Sequence, residues 1–197
     1  MLYEVVVFII TYLICSINPA IEICKRKTGE DIRKLGSGNA GTANAMRVLG
    51  KPLGLLVVIL DIAKVFLSFY IVTFIGKIFK EDIEITLKSV FMIASVVGHC
   101  FPIYYKLKGG KGVIVGIVAA VIIDKKIALV CLIIGVVILL ITRIASLAAL
   151  SGLFLYVVMT LVMMPVYTVP IIISALIIMF KHRASIQRLI TRQESKF

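Results

Sequence analysis

Acidic side chains are scarce in this chain. Ten Asp and Glu stand against 22 Lys and Arg, and the four types together make up only 16% of its 197 residues. Ordinary soluble domains carry about 25% charged residues and about 45–50% apolar ones. Here 61% are hydrophobic and the mean hydropathy is +1.11, more apolar surface than a soluble fold of this size can cover. The four cysteines, Cys15, Cys24, Cys100 and Cys131, lack the close pair spacing of zinc or redox motifs and read as reduced packing residues. No cluster of metal-ligand residue types stands out, so neither a metal nor a cofactor is expected. The first apolar run opens on Met1-Leu2-Tyr3-Glu4, without a basic n-region, and residues 14–20 offer no small-x-small cleavage signal. A removable signal peptide is therefore not expected, and the first helix should stay. Heptads, repeats and low-complexity tracts are also missing.

What is present is a series of long apolar runs separated by short basic stretches, the hydropathy signature of several membrane spans. The expected fold is all-α and integral to the membrane, one domain over residues 1–197. Seven segments can be drawn, at 2–17, 53–75, 87–105, 113–123, 127–142, 147–164 and 166–180. The fourth has eleven residues, about 17 Å of helix against a hydrocarbon core of about 30 Å, so it must be tilted, extended or re-entrant. Charge decides, because cytoplasmic loops collect Lys and Arg. Residues 18–52 hold seven cations, 106–112 three, the Arg143 turn one, and the tail after Phe180 five. The alternate loops hold Lys77, Lys80, Lys88, Lys125 and Lys126, offset by Glu81, Asp82, Glu84 and Asp124. Seven crossings place every strongly basic loop on one side. The expectation is about seven transmembrane helices, N-terminus out and C-terminus in, in the cell membrane. The net charge of +12 sits at membrane boundaries rather than on a soluble module, so nucleic acid is not an expected partner; anionic lipid or phosphate is.

Two basic, glycine-rich loops fall on that inner face. In the first, Gly36, Gly38 and Gly41 match the G-x-G-x-x-G spacing, but no strand precedes them and no βαβ unit surrounds them, which rules out a dinucleotide site. Glycines nevertheless let backbone N–H groups converge on an anion, and Ser37, Asn39 and Asn44 add donors; a plain flexible turn is the alternative. The second loop, Lys106 to Gly112, carries Gly109, Gly110 and Lys111. It is not a Walker A loop, since Tyr105 stands where a glycine is required. Lys111 reads either as an anion ligand or as a boundary cation that snorkels. Within the second span, Asp61 and Lys64 lie three residues apart on one helical face and should pair or line a polar cavity, because bare charges in hydrocarbon cost roughly 2.5–3.5 kcal/mol each. His99 reads as a hydrogen-bonded packing residue. Arg143 and Ser146 come from the third basic turn, and His182, Ser185 and Arg188 from a tail that could equally bind lipid.

Taken together, these loops resemble the bacterial acyl-phosphate:glycerol-3-phosphate acyltransferases, small seven-span enzymes. The resemblance runs through Asp31-Ile32-Arg33, Gly36-Ser37-Gly38-Asn39, Asn44 to Arg47, Asp61 with Lys64, Gly98-His99-Cys100-Phe101-Pro102, Gly109-Gly110-Lys111-Gly112, Arg143 with Ser146, and His182-Arg183 leading to Arg188-Leu189. Where the family usually has asparagine, this chain has Ser185. The resemblance implies transfer of an acyl group from acyl phosphate to the 1-hydroxyl of sn-glycerol 3-phosphate, the first step of phospholipid synthesis. It further implies that Ser37, Gly38, Arg47, Gly109, Gly110, Lys111 and Ser146 hold the acyl-phosphate head. Asn39 and Asn44 would shape the loop, and Arg143, His182, Ser185 and Arg188 would hold glycerol 3-phosphate. Ser37, Arg47, Lys111 and His182 are the expected catalytic set. Some other glycerolipid acyltransferases use a histidine with an aspartate five positions on; here Tyr104 follows His99 and Gln187 follows His182 at that spacing. The alternative is a small transporter of phosphorylated or anionic metabolites, which would place its ligands in broken helices near the midplane.

Overall fold

The computed structural model describes residues 2–78 and 84–196, and no strand occurs among them. Lys80, Glu81 and Asp82, counted above with the outer loops, lie outside the described residues. The chain begins with α1 (Leu2–Cys15) and α2 (Pro19–Thr28). The break between them is local chemistry. Asn18 accepts from the Ile21 amide at 3.1 Å as an N-cap, and Pro19 fits the first helical position, where no amide hydrogen is needed. Gly29 at φ 77° then ends α2 with a left-handed cap. A 3-10 turn, Ile32–Lys34, leads to α3 (Thr42–Leu49). Residues 18–52, expected as one loop, are thus largely helical. The reason is a small apolar core of their own, in which Ile21, Ile32 and Ala45 close against Val57.

The remaining helices are α4 (Lys51–Ile78), α5 (Glu84–Cys100), α6 (Val113–Ile123), α7 (Lys125–Thr142), α8 (Ala145–Met163), α9 (Thr168–Lys181) and α10 (Arg183–Ile190). Among the described residues, five stretches are long and apolar enough to cross a membrane: 2–28, 51–78, 85–105, 125–142 and 145–163. Residues 165–190 pass that test only as a pair bent by 63° about His182. The short helix α6 is surrounded, burying Val115, Ala119, Ala120 and Ile123 against α4, α5 and α7. It stops at Asp124, whose carboxylate caps α7 by accepting from the Lys126 and Ile127 amides at 2.9 and 2.8 Å.

Small residues let the helices approach. A Cβ on Gly98 of α5 would lie 2.6 Å from the Tyr12 carbonyl of α1, and Gly152 of α8 lies against the Cys131 carbonyl of α7. Such contacts are how apolar helices associate where lipid removes the hydrophobic incentive. The central core runs through Val7, Val65, Val72 and Phe91, with Phe69 edge-on to Phe91 at 5.1 Å. The outer surface is correspondingly oily. Ile141, Phe154 and Val162 are more than 70% exposed, a distribution suited to hydrocarbon and not to water.

Candidate active site at the polar end of the bundle

The first glycine loop is built by Asn44. Its side-chain oxygen accepts from the Ser37 amide at 2.8 Å, while its nitrogen donates to the carbonyls of Ile32 and Leu35 at 3.2 and 3.0 Å. Gly36 (φ 57°) and Gly38 (φ 72°) take the left-handed conformation that this tight path needs. Arg33 ties the two loops together. One edge of its guanidinium grips Asp31, with Nη2 2.6 Å from Oδ2, and Nη1 donates to the Tyr105 and Lys108 carbonyls at 2.8 and 2.9 Å. The hydrogen bond from Arg33 holds the Asp31 carboxyl below its ordinary value of 3.8, against the opposing effect of burial. The second loop is pinned from below: the Gly109 and Gly110 amides donate to the Cys100 and His99 carbonyls, both at 3.2 Å. The loops meet where Gly110 lies against the Ala40 carbonyl.

A cavity of about 730 Å³ opens between them. Ser37, Asn39 and Arg47 line it from the first loop and α3, and Lys111 from the second. Arg143 and Ser146 reach it from the α7–α8 turn, His182 and Arg188 from the α9–α10 bend. Gly38, Asn44, Gly109 and Gly110 shape the loops without forming its wall. Ser185 lies just behind: its buried hydroxyl receives Lys111 Nζ at 2.5 Å and Arg188 Nη2 at 2.9 Å. Away from these cations the cavity turns apolar, passing Ala120 of α6, Gly135 and Leu139 of α7, and Ala148 and Gly152 of α8 before Tyr156. Ser146 to Tyr156 is ten residues, about 15 Å along the helix.

His182 is 1% exposed and its Nδ1 is 2.8 Å from the Ile178 carbonyl. A carbonyl only accepts, so Nδ1 carries the proton and Nε2 keeps its lone pair in the neutral ring. Burial pushes the Lys111 ammonium below the ordinary lysine value, partly offset by Glu194 and reinforced by Arg188.

Three contributors, Glu194, Ser195 and His99, were not foreseen as site residues. The tail returns to the cavity mouth, where Glu194 Oε2 accepts from Arg188 Nε at 2.5 Å and Ser195 accepts from Arg47 at 2.9 Å. Burial raises the Glu194 pKa, but the hydrogen bond from Arg188, with the polar Ser146 and Ser185 hydroxyls close by, outweighs it and holds the group below its ordinary value of 4.5. Asp61 and His99 line the cavity from α4 and α5. Asp61 does both things weighed for it, pairing with Lys64 at 2.8 Å and facing the cavity. The lone acid in the basic tail was the one sequence signal for Glu194.

Comparison with known proteins points to one family. A glycerol-3-phosphate acyltransferase family model matches residues 5–192. The glycerol-3-phosphate acyltransferase of Shewanella sediminis is 34% identical over 94% of this chain and 90% of its own length; that of Endomicrobium trichonymphae is 34% identical over 100% and 96%. A crystal structure of PlsY, an integral membrane glycerol 3-phosphate acyltransferase, in its glycerol 3-phosphate form superimposes with a TM-score of 0.87 at 32% identity, covering 98% of this chain and 95% of that one. Its lysophosphatidic acid form gives 0.83 at 30% identity, with the same coverage. With its apolar helices and this likeness over almost its full length, the chain is a multi-pass membrane protein and belongs to the glycerol-3-phosphate acyltransferase family.

Proposed function

We propose that this enzyme transfers an acyl group from acyl phosphate to the 1-hydroxyl of sn-glycerol 3-phosphate, releasing lysophosphatidic acid and inorganic phosphate. The observation that carries this reading is one cavity with a cationic mouth and an apolar interior. Two phosphates need cations and directed N–H groups; an acyl chain needs hydrocarbon walls. The donor head belongs beside Ser37, Arg47, Lys111 and Ser146, held by the loops of Gly38, Gly109 and Gly110, with the chain running along α8. Glycerol 3-phosphate belongs beside Arg143, His182, Ser185 and Arg188.

The 1-hydroxyl oxygen attacks the acyl carbonyl carbon, its proton passing to His182 Nε2 or to a phosphate oxygen of the acceptor. The carbonyl oxygen gains negative charge, which the Lys111 ammonium stabilises. Collapse breaks the bond to phosphate, a good leaving group, so no acyl-enzyme is required. A transporter reading fits less well, since the polar groups gather at one end of the bundle and the relatives bear acyltransferase names.

We further infer seven crossings with the site on the cytoplasmic face. The five long stretches, the bent pair and α6 supply the seven, and the basic loops then share one side. Purified protein in lipid, given acyl phosphate and glycerol 3-phosphate, should form lysophosphatidic acid and one phosphate per turnover. Equal use of acyl-CoA would reject the phosphate cradle as the donor site.

A further inference from the structure

Below the second glycine loop lies a buried polar group that the mechanism above does not use. Lys64 of α4, 7% exposed, donates to the Ile17 carbonyl at 2.7 Å, meets His99 Nδ1 at 3.0 Å and forms an ion pair with Asp61 Oδ1 at 2.8 Å. An ammonium has three hydrogens and no lone pair. The contact with His99 therefore has one possible polarity: Lys64 donates and Nδ1 accepts. The proton of the neutral ring therefore sits on Nε2, because the hydrogen bond at one ring nitrogen fixes the state of the other.

That Nε2 edge faces the loop. A methyl on Gly110 would run into His99 Nε2, and the His99 carbonyl accepts from the Gly110 amide at 3.2 Å. His99 thus meets Gly110 through both its backbone and its ring, one residue before Lys111. Lys181 steadies the neighbouring peptide by donating to the Cys100 carbonyl at 2.9 Å, the same carbonyl that receives the Gly109 amide. An ion pair that merely joined helices would have no need of the histidine or of its orientation. Lys64 instead joins the end of α1, its own helix and α5 to the loop.

We propose that Asp61, Lys64 and His99 form a positioning unit that sets the Gly109–Lys111 loop, with His99 fixed as the neutral Nε2–H tautomer by the Lys64 ammonium. The proposal rests on the reading that Lys111 serves the acyl-phosphate head. Its first test does not. The chain has two histidines, so protein labelled with ¹⁵N-histidine in lipid gives two ring systems, and a His182→Gln sample assigns them. At neutral pH, His99 should show a protonated Nε2 and an unprotonated Nδ1. A protonated Nδ1, or an imidazolium, overturns the proposal whatever the enzyme turns over.

The second test separates positioning from plain stability. Replacing both members of a buried ion pair by apolar residues of similar size costs far less than removing one, so Asp61→Leu/Lys64→Met should fold, its thermal midpoint lowered only by the Ile17 carbonyl and His99 ring that lose Lys64. Its kcat should nevertheless fall about 10- to 100-fold, the worth of one charged hydrogen bond. KM for glycerol 3-phosphate should stay put, because that pocket is built on other elements. His99→Gln, which keeps an amide N–H near the Nε2 position, should retain more kcat than His99→Asn. A folded double variant with wild-type kcat, or His99→Asn matching His99→Gln, would make the unit a structural ion pair only. If none of these variants folds, the tautomer in the unmodified protein decides.

Discussion

Gly110→Ala is the sharpest single perturbation of the loop junction. Gly110 is buried between the two loops, and an added methyl would sit 2.8 Å from the Ala40 carbonyl oxygen and closer still to His99 Nε2. Ordinary van der Waals contact begins at 3.4 Å, so the loop must retreat by roughly 0.6 Å from Ala40 alone, and further from His99, whose ring is held by Lys64. Lys111, the next residue, moves with it. Misplacing a reacting group by about 1 Å costs on the order of 100-fold in rate. We therefore expect kcat/KM for acyl phosphate to fall about 10- to 100-fold, with a loss of roughly 1–3 kcal/mol from overpacking. Gly29→Ala is the control. It sits at φ 77° with nothing within 4 Å of the new methyl, so it should lose about 1 kcal/mol of stability through strain and leave turnover unchanged. The assay is phosphate release with matched thermal unfolding in detergent. A folded Gly110→Ala enzyme with wild-type kcat/KM, or a Gly29→Ala enzyme equally impaired, would refute the reasoning.

Arg188→Ala should raise KM for glycerol 3-phosphate by about tenfold or more, since a charged hydrogen bond is worth about 1.5–3 kcal/mol; an unchanged KM would move the acceptor pocket elsewhere. Ala120→Leu on α6 narrows the apolar stretch, so a long acyl phosphate should lose more kcat/KM than a short one, and equal losses would place the chain outside this cavity. The Glu194 carboxyl has its folded pKa depressed below 4.5. Its contribution to stability is complete above that value and disappears as pH falls through the depressed one, so Glu194→Gln should flatten the acid side of the thermal-midpoint profile below about pH 4.5. A cysteine at Lys196, beside Ser195 but clear of its bond to Arg47, should resist an impermeant thiol reagent applied to intact cells; efficient labelling would invert the topology.

Residue type and local spacing made part of this site legible. Glycine beside lysine announced both loops, and the i,i+3 spacing of Asp61 and Lys64 announced their pairing. What stayed hidden depends on distant contacts. Arg33 meets the Tyr105 and Lys108 carbonyls across 72 and 75 residues, and nothing near Arg33 encodes them. His99 reads as a hydrogen-bonded packing residue, but its partner Lys64 stands 35 positions away on another helix and could not be named. The helices α2 and α3 were read as loop because their polar composition hid the few apolar side chains, Ile21, Ile32 and Ala45, that Val57 completes into a core. The return of Glu194 and Ser195 depends on the 63° bend at His182, which a tail rich in cations does not predict.

The central claim is that the cations at the cavity mouth act on the acyl-phosphate head. It is tested most directly by the kcat/KM of Lys111→Ala and Arg47→Ala for acyl phosphate, in lipid, with folding matched to wild type. An oxyanion donor is worth about 2.7–4 kcal/mol in rate and a charged hydrogen bond about 1.5–3 kcal/mol, so each variant should lose about 10- to 1000-fold. Arg47→Lys should recover only part, because the two-pronged guanidinium is gone, and Lys125→Ala at the start of α7 should lose little. Folded Lys111→Ala and Arg47→Ala enzymes that both turn over at near wild-type efficiency would contradict the account and reduce these cations to anchors at the membrane boundary.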